Sequence, residues 1–305
     1  MSILRMREKF FRAYTMQIDH ALILCAGMGT RMGEIGKKIP KPLWPVFFKT
    51  LLELQVDYCH SLGIKRLFLN THFLSEEIET HLKSNPKFAD VIMLHEDPLL
   101  DSGGAIHNMA SRGDVNYTGN LLLVNADQFL FFDQKYFTDA LSALENSRAA
   151  LFGIKVDKSA KYNETVLEND LLKEIRKTDG SYDYITYSGL GILKLDSLDH
   201  VAGISKFFET VANYKKERVH FVVPEKFEYW DFGTAEIYFE SIQEIYHSLK
   251  ENKHSRLMDF LQENKALEGN VDAFFNDELR SVNLEGNGEF FANAIVGKGI
   301  VQKLN

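Results

Sequence analysis

Residues 21–45, ALILCAGMGTRMGEIGKKIPKPLWP, run from an apolar strand straight into a glycine-punctuated turn loaded with cations. Gly27 and Gly29 leave the backbone without side-chain cover, so its N–H groups can approach phosphate oxygens. Arg31, Lys37, Lys38 and Lys41 supply positive charge within a few residues, opposed only by Glu34. Such a stretch is built to hold a polyphosphate. It is not a dinucleotide fingerprint, because Gly33 arrives one position late and Met32 stands where the helix should pack closely on the sheet. Nor is it a Walker loop, since Gly36-Lys37 is followed by Lys38, and Gly297-Lys298 by Gly299, with no Ser or Thr in place.

Working outward, short apolar runs alternate with helical patterns through the first half of the chain. HALILCA (20–26), KRLFLN (65–70), DVIMLHE (90–96) and NLLLVNAD (120–127) are the runs, with amphipathic stretches near 50–62, 75–83, 104–111 and 134–146. This alternation predicts βαβ units, hence an α/β fold with a mostly parallel sheet and helices on both faces. Ligands of such sheets bind at the carboxyl ends of strands. The turn after residue 26 and the acidic tip at Asp127 both fall there.

From about residue 150 the pattern changes to ALFGIKV, ETVLEND, DLLKEIRKTD and DYITYSGLGILKL, with no helix until Ile204–Tyr214. These segments predict an antiparallel insertion serving as a lid or second wall. The strand VHFVVPE then leads through Phe227–Trp230 to Asp231-Phe232-Gly233-Thr234 and a long amphipathic helix ending near Lys250. The expected organisation is an N-terminal extension (1–17), a main domain (18–250) and a C-terminal extension (251–305). The last is a charged helix followed by a β-rich stretch. Ala294–Gly299 within it hints at one turn of a left-handed β-helix; a cap or a homo-oligomer contact is the expected role.

With 305 residues, 45% apolar and 26% charged, the chain can bury a large core. Its net charge of −8 argues against a nucleic-acid binder, so the cations near Arg31 are a local device for a small anion. Cys25 and Cys59 are too few for a disulfide framework and are expected to be buried thiols in a reducing compartment. No window approaches a membrane-spanning run and no signal peptide is evident in 1–17, so a cytoplasmic protein without membrane contact is predicted.

The strand in which Leu121–Val124 would be buried puts the carboxylate of Asp127 beside the phosphate turn, and Asp231 offers a second one. Mg²⁺ is commonly held by one or two carboxylates plus phosphate oxygens, so the pair suits metal-assisted phosphoryl chemistry. An Asp at a strand end or before a helix is also a common turn former or cap; only the company of residues 27–41 favours the metal. Lys41, between Pro40 and Pro42, is a long cationic arm on a stiffened backbone. Gly103 and Gly104 form a second glycine turn whose bare backbone can meet a nucleobase, a plain helix start being the alternative. The histidines lack metal-binding spacing, and no G-x-S-x-G occurs.

Taken together, AGMGTRM, the lysine of PKPLWPV, VNAD, SGLGIL and WDFGTAEIY resemble the sugar-phosphate nucleotidyltransferase family over about residues 20–248. The likeness is greatest to the short bacterial N-acetylmuramate-1-phosphate uridylyltransferases and mannose- or heptose-1-phosphate guanylyltransferases. The resemblance implies a Rossmann-like enzyme that joins an NTP, UTP or GTP foremost, to a sugar 1-phosphate and releases pyrophosphate. By motif, Ala26, Gly27, Gly29 and Thr30 would cradle the nucleotide. Arg31 and Lys41 would neutralise its phosphates, and Asp127 with Asp231 would hold Mg²⁺. Asn125, Ser188 and Gly189 would face the sugar phosphate. The chain departs from the pattern at Gly33–Gly36, at Ala126, and after Lys173, where the usual Glu-Lys-Pro is missing. Two other readings stay open: a cytidylyltransferase on a non-sugar phosphate such as phosphocholine, and a catalytically silent subunit that binds nucleotide sugar.

Overall fold

β1 (His20–Leu24) is buried on both faces, with Ala21 and Ile23 in one apolar cluster and Leu22 in another. A strand covered on both sides reads as an unbroken apolar run, which is why HALIL shows no polar alternation. The computed structural model describes residues 18–29 and 36–271. The N-terminal extension, Thr30, Arg31 and the β-rich stretch after 271 therefore lie outside the described residues.

Around β1 the chain builds β2 (Pro45–Val46), β3 (Lys49–Thr50), β4 (Leu67–Thr71), β5 (Val91–His95), β6 (Asn120–Asn125) and β7 (Gln128–Phe132). The second half adds β8 (Ala149–Val156), β9 (Asn163–Glu168), β10 (Leu171–Lys177), β11 (Tyr184–Lys194), β12 (Val219–Val222) and β13 (Phe227–Asp231). The α-helices are α1 (Leu51–Ser61), α2 (Ser75–Ser84), α3 (Asp101–Ala110), α4 (Lys135–Ala143), α5 (Phe207–Thr210), α6 (Ala235–Lys250) and α7 (Arg256–Glu263).

Nine of these strands form one sheet in the order β5-β4-β1-β6-β11-β8-β12-β10-β9. The first four are mutually parallel, as the βαβ reading required. β11 then runs antiparallel to both β6 and β8. The antiparallel segments thus extend the same sheet instead of making a separate layer, and β11 sits near its middle. α1, α2, α4, α6 and α7 pack on one face and α3 with α5 on the other. The expected α/β class, with helices on both faces, is what the chain adopts.

Two local devices set the site. Thr50 caps α1 through a reciprocal box, accepting from Glu53 N at 3.1 Å while Glu53 accepts from Thr50 N at 2.7 Å. Thr234 caps α6 by accepting from Ile237 N at 3.3 Å, which fixes the turn just after Asp231. The helix expected over 204–214 contracts to α5, because the preceding backbone is spent elsewhere: Ser205 N donates to Leu100 O at 3.0 Å, and Ser205 O accepts from Gly104 N at 3.0 Å.

α7 puts Leu257, Phe260 and Leu261 into the same core as α1, and Phe48 N donates to Ala266 O at 3.0 Å. The described part of the C-terminal extension is therefore packed onto the main body. Among the described residues no helix is long and apolar enough to cross a membrane.

Candidate active site

β7 and β13 form an antiparallel ribbon in which Gln128 pairs with Asp231 and Phe132 with Phe227. That register carries the chain of Asp127 directly alongside Asp231, and Phe232 N donates to Asp127 O at 2.9 Å to close the end. Phe232, wholly buried, anchors the junction against Phe129 and Tyr238. Two aspartates far apart in sequence are thus neighbours.

Both line a cleft of about 820 Å³ at the carboxyl ends of the parallel strands, together with Ala26, Gly27, Gly29, Lys41 and Asn125. Gly27 has open space where a Cβ would stand, so its backbone is bare toward the cleft. Gly29 is required for another reason: its φ is +62°, and a Cβ would press on Gly36 O at 3.3 Å. The turn is held by Asn70, whose Oδ1 accepts from Cys25 N at 2.8 Å while its Nδ2 donates to Glu96 at 2.9 Å.

Lys41 opens a single 3₁₀ turn, with Pro40 extended before it and Pro42 inside it. Its ammonium pairs with the Asp127 carboxylate and donates to Gly233 O at 3.0 Å. The arm is aimed because the following Trp44 is buried edge-on against Tyr238 at 5.1 Å, and Tyr238 donates its hydroxyl to Pro45 O. Lys37 and Lys38 are exposed and do not line the cleft.

Asp231 is fixed at both oxygens. Oδ1 accepts from Gly233 N at 2.7 Å, and Oδ2 accepts from the Tyr162 hydroxyl at 2.7 Å and from Gln128 Nε2 at 3.4 Å. These donors are neutral, so they orient the carboxylate without cancelling its charge. Burial, then the Asp231 charge, raises the Tyr162 phenol above its ordinary range.

Among the described residues that line the cleft, Asp101, Asp127 and Asp231 against Lys41 leave a local negative excess. Hard oxygen donors with that excess fit Mg²⁺, which needs one or two protein carboxylates and takes its remaining ligands from phosphate and water. Among the described residues no group of three or more His, Cys, Asp or Glu gathers into a metal cage.

Four residues assigned to ligands from the sequence do other work. Gly103 and Gly104 do not line the cleft: a Cβ on Gly103 would stand 2.6 Å from Ser205 O and 2.7 Å from Lys206 C. Their bareness lets α3 approach the 203–206 backbone, and Asp101 with Ser102 face the cleft in their place. Ser188 is buried, its hydroxyl donating to Phe152 O at 2.7 Å, away from the cleft. Gly189, at φ +85°, makes room for the side chains of Asn125 and Gln128, which meet at 2.6 Å.

Sequence reasoning missed Tyr162, Gln128 and Asn70. Asn70 had a signal, because it stands at the carboxyl end of an apolar run; the other two had none. Cys25 and Cys59 are buried as expected. Burial pushes the Cys59 thiol up to about 12, and burial with the Asp127 charge raises Cys25 as well.

A family model described as nucleotidyl transferase matches residues 20–165. The chain is 27% identical over 225 residues to the D-glycero-alpha-D-manno-heptose 1-phosphate guanylyltransferase of Campylobacter jejuni, covering 72% of this chain and 96% of that protein. By these matches the chain is similar to sugar-phosphate nucleotidyltransferases. It is also 27% identical over 128 residues to an N-acetylmuramate alpha-1-phosphate uridylyltransferase of Caulobacter vibrioides, covering 40% of this chain and 51% of that relative. Among solved structures, HddC from Yersinia pseudotuberculosis matches the nucleotidyltransferase fold with a TM-score of 0.63 at 22% identity, over 74% of this chain and 99% of HddC. This likeness marks the chain as an enzyme of nucleotidyl transfer.

Proposed function

We propose that the enzyme transfers a nucleoside monophosphate from an NTP, GTP or UTP foremost, to a sugar 1-phosphate with the help of Mg²⁺. The observation that carries this reading is the β7–β13 ribbon, which sets Asp127 and Asp231 beside Lys41 at the mouth of a bare glycine turn. The names of the relatives, a guanylyltransferase and a uridylyltransferase, support the two bases.

An oxygen of the acceptor phosphate attacks the α-phosphorus, the bond to the β-phosphate oxygen breaks, and pyrophosphate leaves. Both reactants are polyanions. Two unit charges 4 Å apart repel by about 4 kcal/mol at an effective dielectric of 20, so screening and alignment are the main tasks. The open backbone at Gly27 receives triphosphate oxygens, and Lys41 faces the same cleft as the cation that meets them. Asn125, which also lines the cleft, would meet the acceptor phosphate. Mg²⁺ held by Asp127 and Asp231 would act as Lewis acid and template for the two phosphates. No protein nucleophile is needed. Two buried thiols and these substrates suit a cytoplasmic enzyme.

Pyrophosphate release measured over the four common NTPs, each with a panel of sugar 1-phosphates and with phosphocholine, tests the proposal. Turnover with a sugar 1-phosphate, abolished by chelation, is expected. Turnover only with CTP and phosphocholine, or nucleotide-sugar binding with no turnover at all, would overturn it.

A further inference from the structure

Tyr162 belongs to the connection between β8 and β9, outside the ribbon of β7 and β13, and lines the same cleft as both aspartates. Its hydroxyl nevertheless makes the shorter of the two hydrogen bonds to Asp231 Oδ2, 2.7 Å against 3.4 Å from Gln128. From this geometry we propose that Tyr162 is a positioning residue for the metal: it aims the Asp231 carboxylate at the divalent cation. The antiparallel half of the sheet thereby becomes part of the metal site.

Three features carry the assignment. The first is that the Asp231 carboxylate needs a second anchor. Gly233 N holds Oδ1 from within the same turn, and a carboxylate tethered at one oxygen can still swing about that bond. Tyr162 holds the other oxygen from a different part of the fold, which sets the carboxylate plane.

The second is the chemistry of the donor. A lysine or arginine in that place would neutralise Asp231 and compete with the cation, whereas a phenol orients the oxygens and leaves the charge available. Lys41 already pairs with the other aspartate, so a neutral partner keeps Asp231 as the stronger of the two ligands.

The third is that the phenol is itself aimed. Tyr184, buried on β11, donates its hydroxyl to Ala160 O at 2.7 Å and accepts from Tyr162 N at 3.2 Å. That clasp pins the backbone of 160–162 to the centre of the sheet. The path runs from β11 through the 160–162 backbone to Tyr162, and from its hydroxyl to Asp231.

The proposal rests on the metal-dependent reading above, and its test separates the two. Mn²⁺ alone is titrated into the full-length wild type, Tyr162→Phe, Tyr184→Phe, Asp231→Asn and the Tyr162→Phe/Asp231→Asn double variant, with free Mn²⁺ counted by electron paramagnetic resonance. Partners of metal ligands are typically worth tenfold or more in affinity, so Tyr162→Phe is expected to bind Mn²⁺ about tenfold more weakly. Tyr184→Phe should change affinity in the same direction by less, about threefold, because the clasp acts through Tyr162. Within the Asp231→Asn background, Tyr162→Phe should have no further effect. Thermal unfolding run alongside is expected to show Tyr162→Phe folded as the wild type, since it removes one hydroxyl from a cleft wall.

If Tyr162→Phe and Tyr184→Phe both bind Mn²⁺ as the wild type does while Asp231→Asn does not, the positioning role is wrong and the metal reading survives. Equal Mn²⁺ binding by wild type and Asp231→Asn overturns both. An additional loss from Tyr162→Phe in the Asp231→Asn background would show that the tyrosine acts by another route and would overturn the proposal too.

Discussion

Gly189→Ala puts a methyl group where the packing of Asn125 and Gln128 has no room for one, and its cost follows from two parts. Gly189 has φ +85°, a left-handed conformation that costs a residue with a Cβ about 1–2 kcal/mol. The added carbon also falls on Gln128 Oε1 and Asn125 Nδ2, well inside the 3.0 Å that real Cβ atoms keep. Both are ends of flexible side chains and can swing aside, but their mutual hydrogen bond of 2.6 Å is then broken. That loss is worth about 1 kcal/mol, giving about 2–3 kcal/mol in all.

Urea unfolding measures this sum, and a double-mutant cycle divides it. In a Gln128→Ala background the amide pair is already gone, so Gly189→Ala should cost only the backbone strain of about 1–2 kcal/mol. The coupling between the sites is then about 1 kcal/mol. Displacing Asn125 should raise KM for the sugar 1-phosphate and leave KM for the NTP unchanged, because Gly27 and Lys41 are untouched. Equal stability of Gly189→Ala and wild type, or an undiminished cost in the Gln128→Ala background, would refute the packing argument. A change confined to the NTP would refute the placing of Asn125 on the acceptor side.

Three further outcomes are expected. Asp127→Asn should lower pyrophosphate release about a hundredfold or more while moving stability by less than about 1 kcal/mol, since the side chain is at a strand tip and packs little; wild-type initial rates would exclude the metal role. Gly103→Ala should destabilise by about 3 kcal/mol in urea, at least as much as Gly189→Ala, because its Cβ meets backbone that cannot rotate away; an unaffected midpoint would return Gly103 to the ligand side. Burial lowers the pKa of His20, His107 and His220 below the ordinary 6.5. The unfolded chain therefore takes up protons first as pH falls through 6.5. Stability is full above that value and is lost between it and the lowered folded values. Thermal midpoints at pH 7.5, 6 and 5 should fall in that order, and His220→Gln should flatten the slope; midpoints independent of pH would refute the assignment.

The part of the molecule that could be read from the chain is the part governed by local rules. Apolar runs buried on both faces announced the parallel strands, and the strand-end rule put Asp127 and the Gly27 turn on one rim. Asp231 was legible as the residue before a capped helix. What escaped depends on pairing between distant segments. QFLFF after Asp127 is short and follows a tight turn, and nothing local says that it pairs with the segment FEYWD to bring Asp231 home. Tyr162 was invisible for the same reason, its partner being in another element. Ser188 was assigned by motif, but β11 changes register between Tyr187 and Gly191, and the hydroxyl is buried on Phe152 O. Gly103 and Gly104 were misassigned because a glycine bare for a ligand and a glycine bare for a neighbouring backbone look identical in sequence.

The charges of the site are positioned by apolar contacts, and this decides how separable chemistry and folding are. Lys41 hangs from a loop whose next anchor is Trp44, buried against Tyr238 of α6; Asp231 and Gly233 stand at the start of that same helix. The Tyr238 hydroxyl is bound to Pro45 O, so the loop and the helix share one joint. On the other side, Phe232 between Phe129 and Tyr238 ties the ribbon to that joint. A partly exposed ion pair such as Lys41–Asp127 contributes about 1 kcal/mol or less, whereas each of these large buried aromatics contributes about 2–3 kcal/mol. Removing a charge should therefore leave the cleft standing, and removing Trp44 or Phe232 should scatter the charges while every one of them is still present.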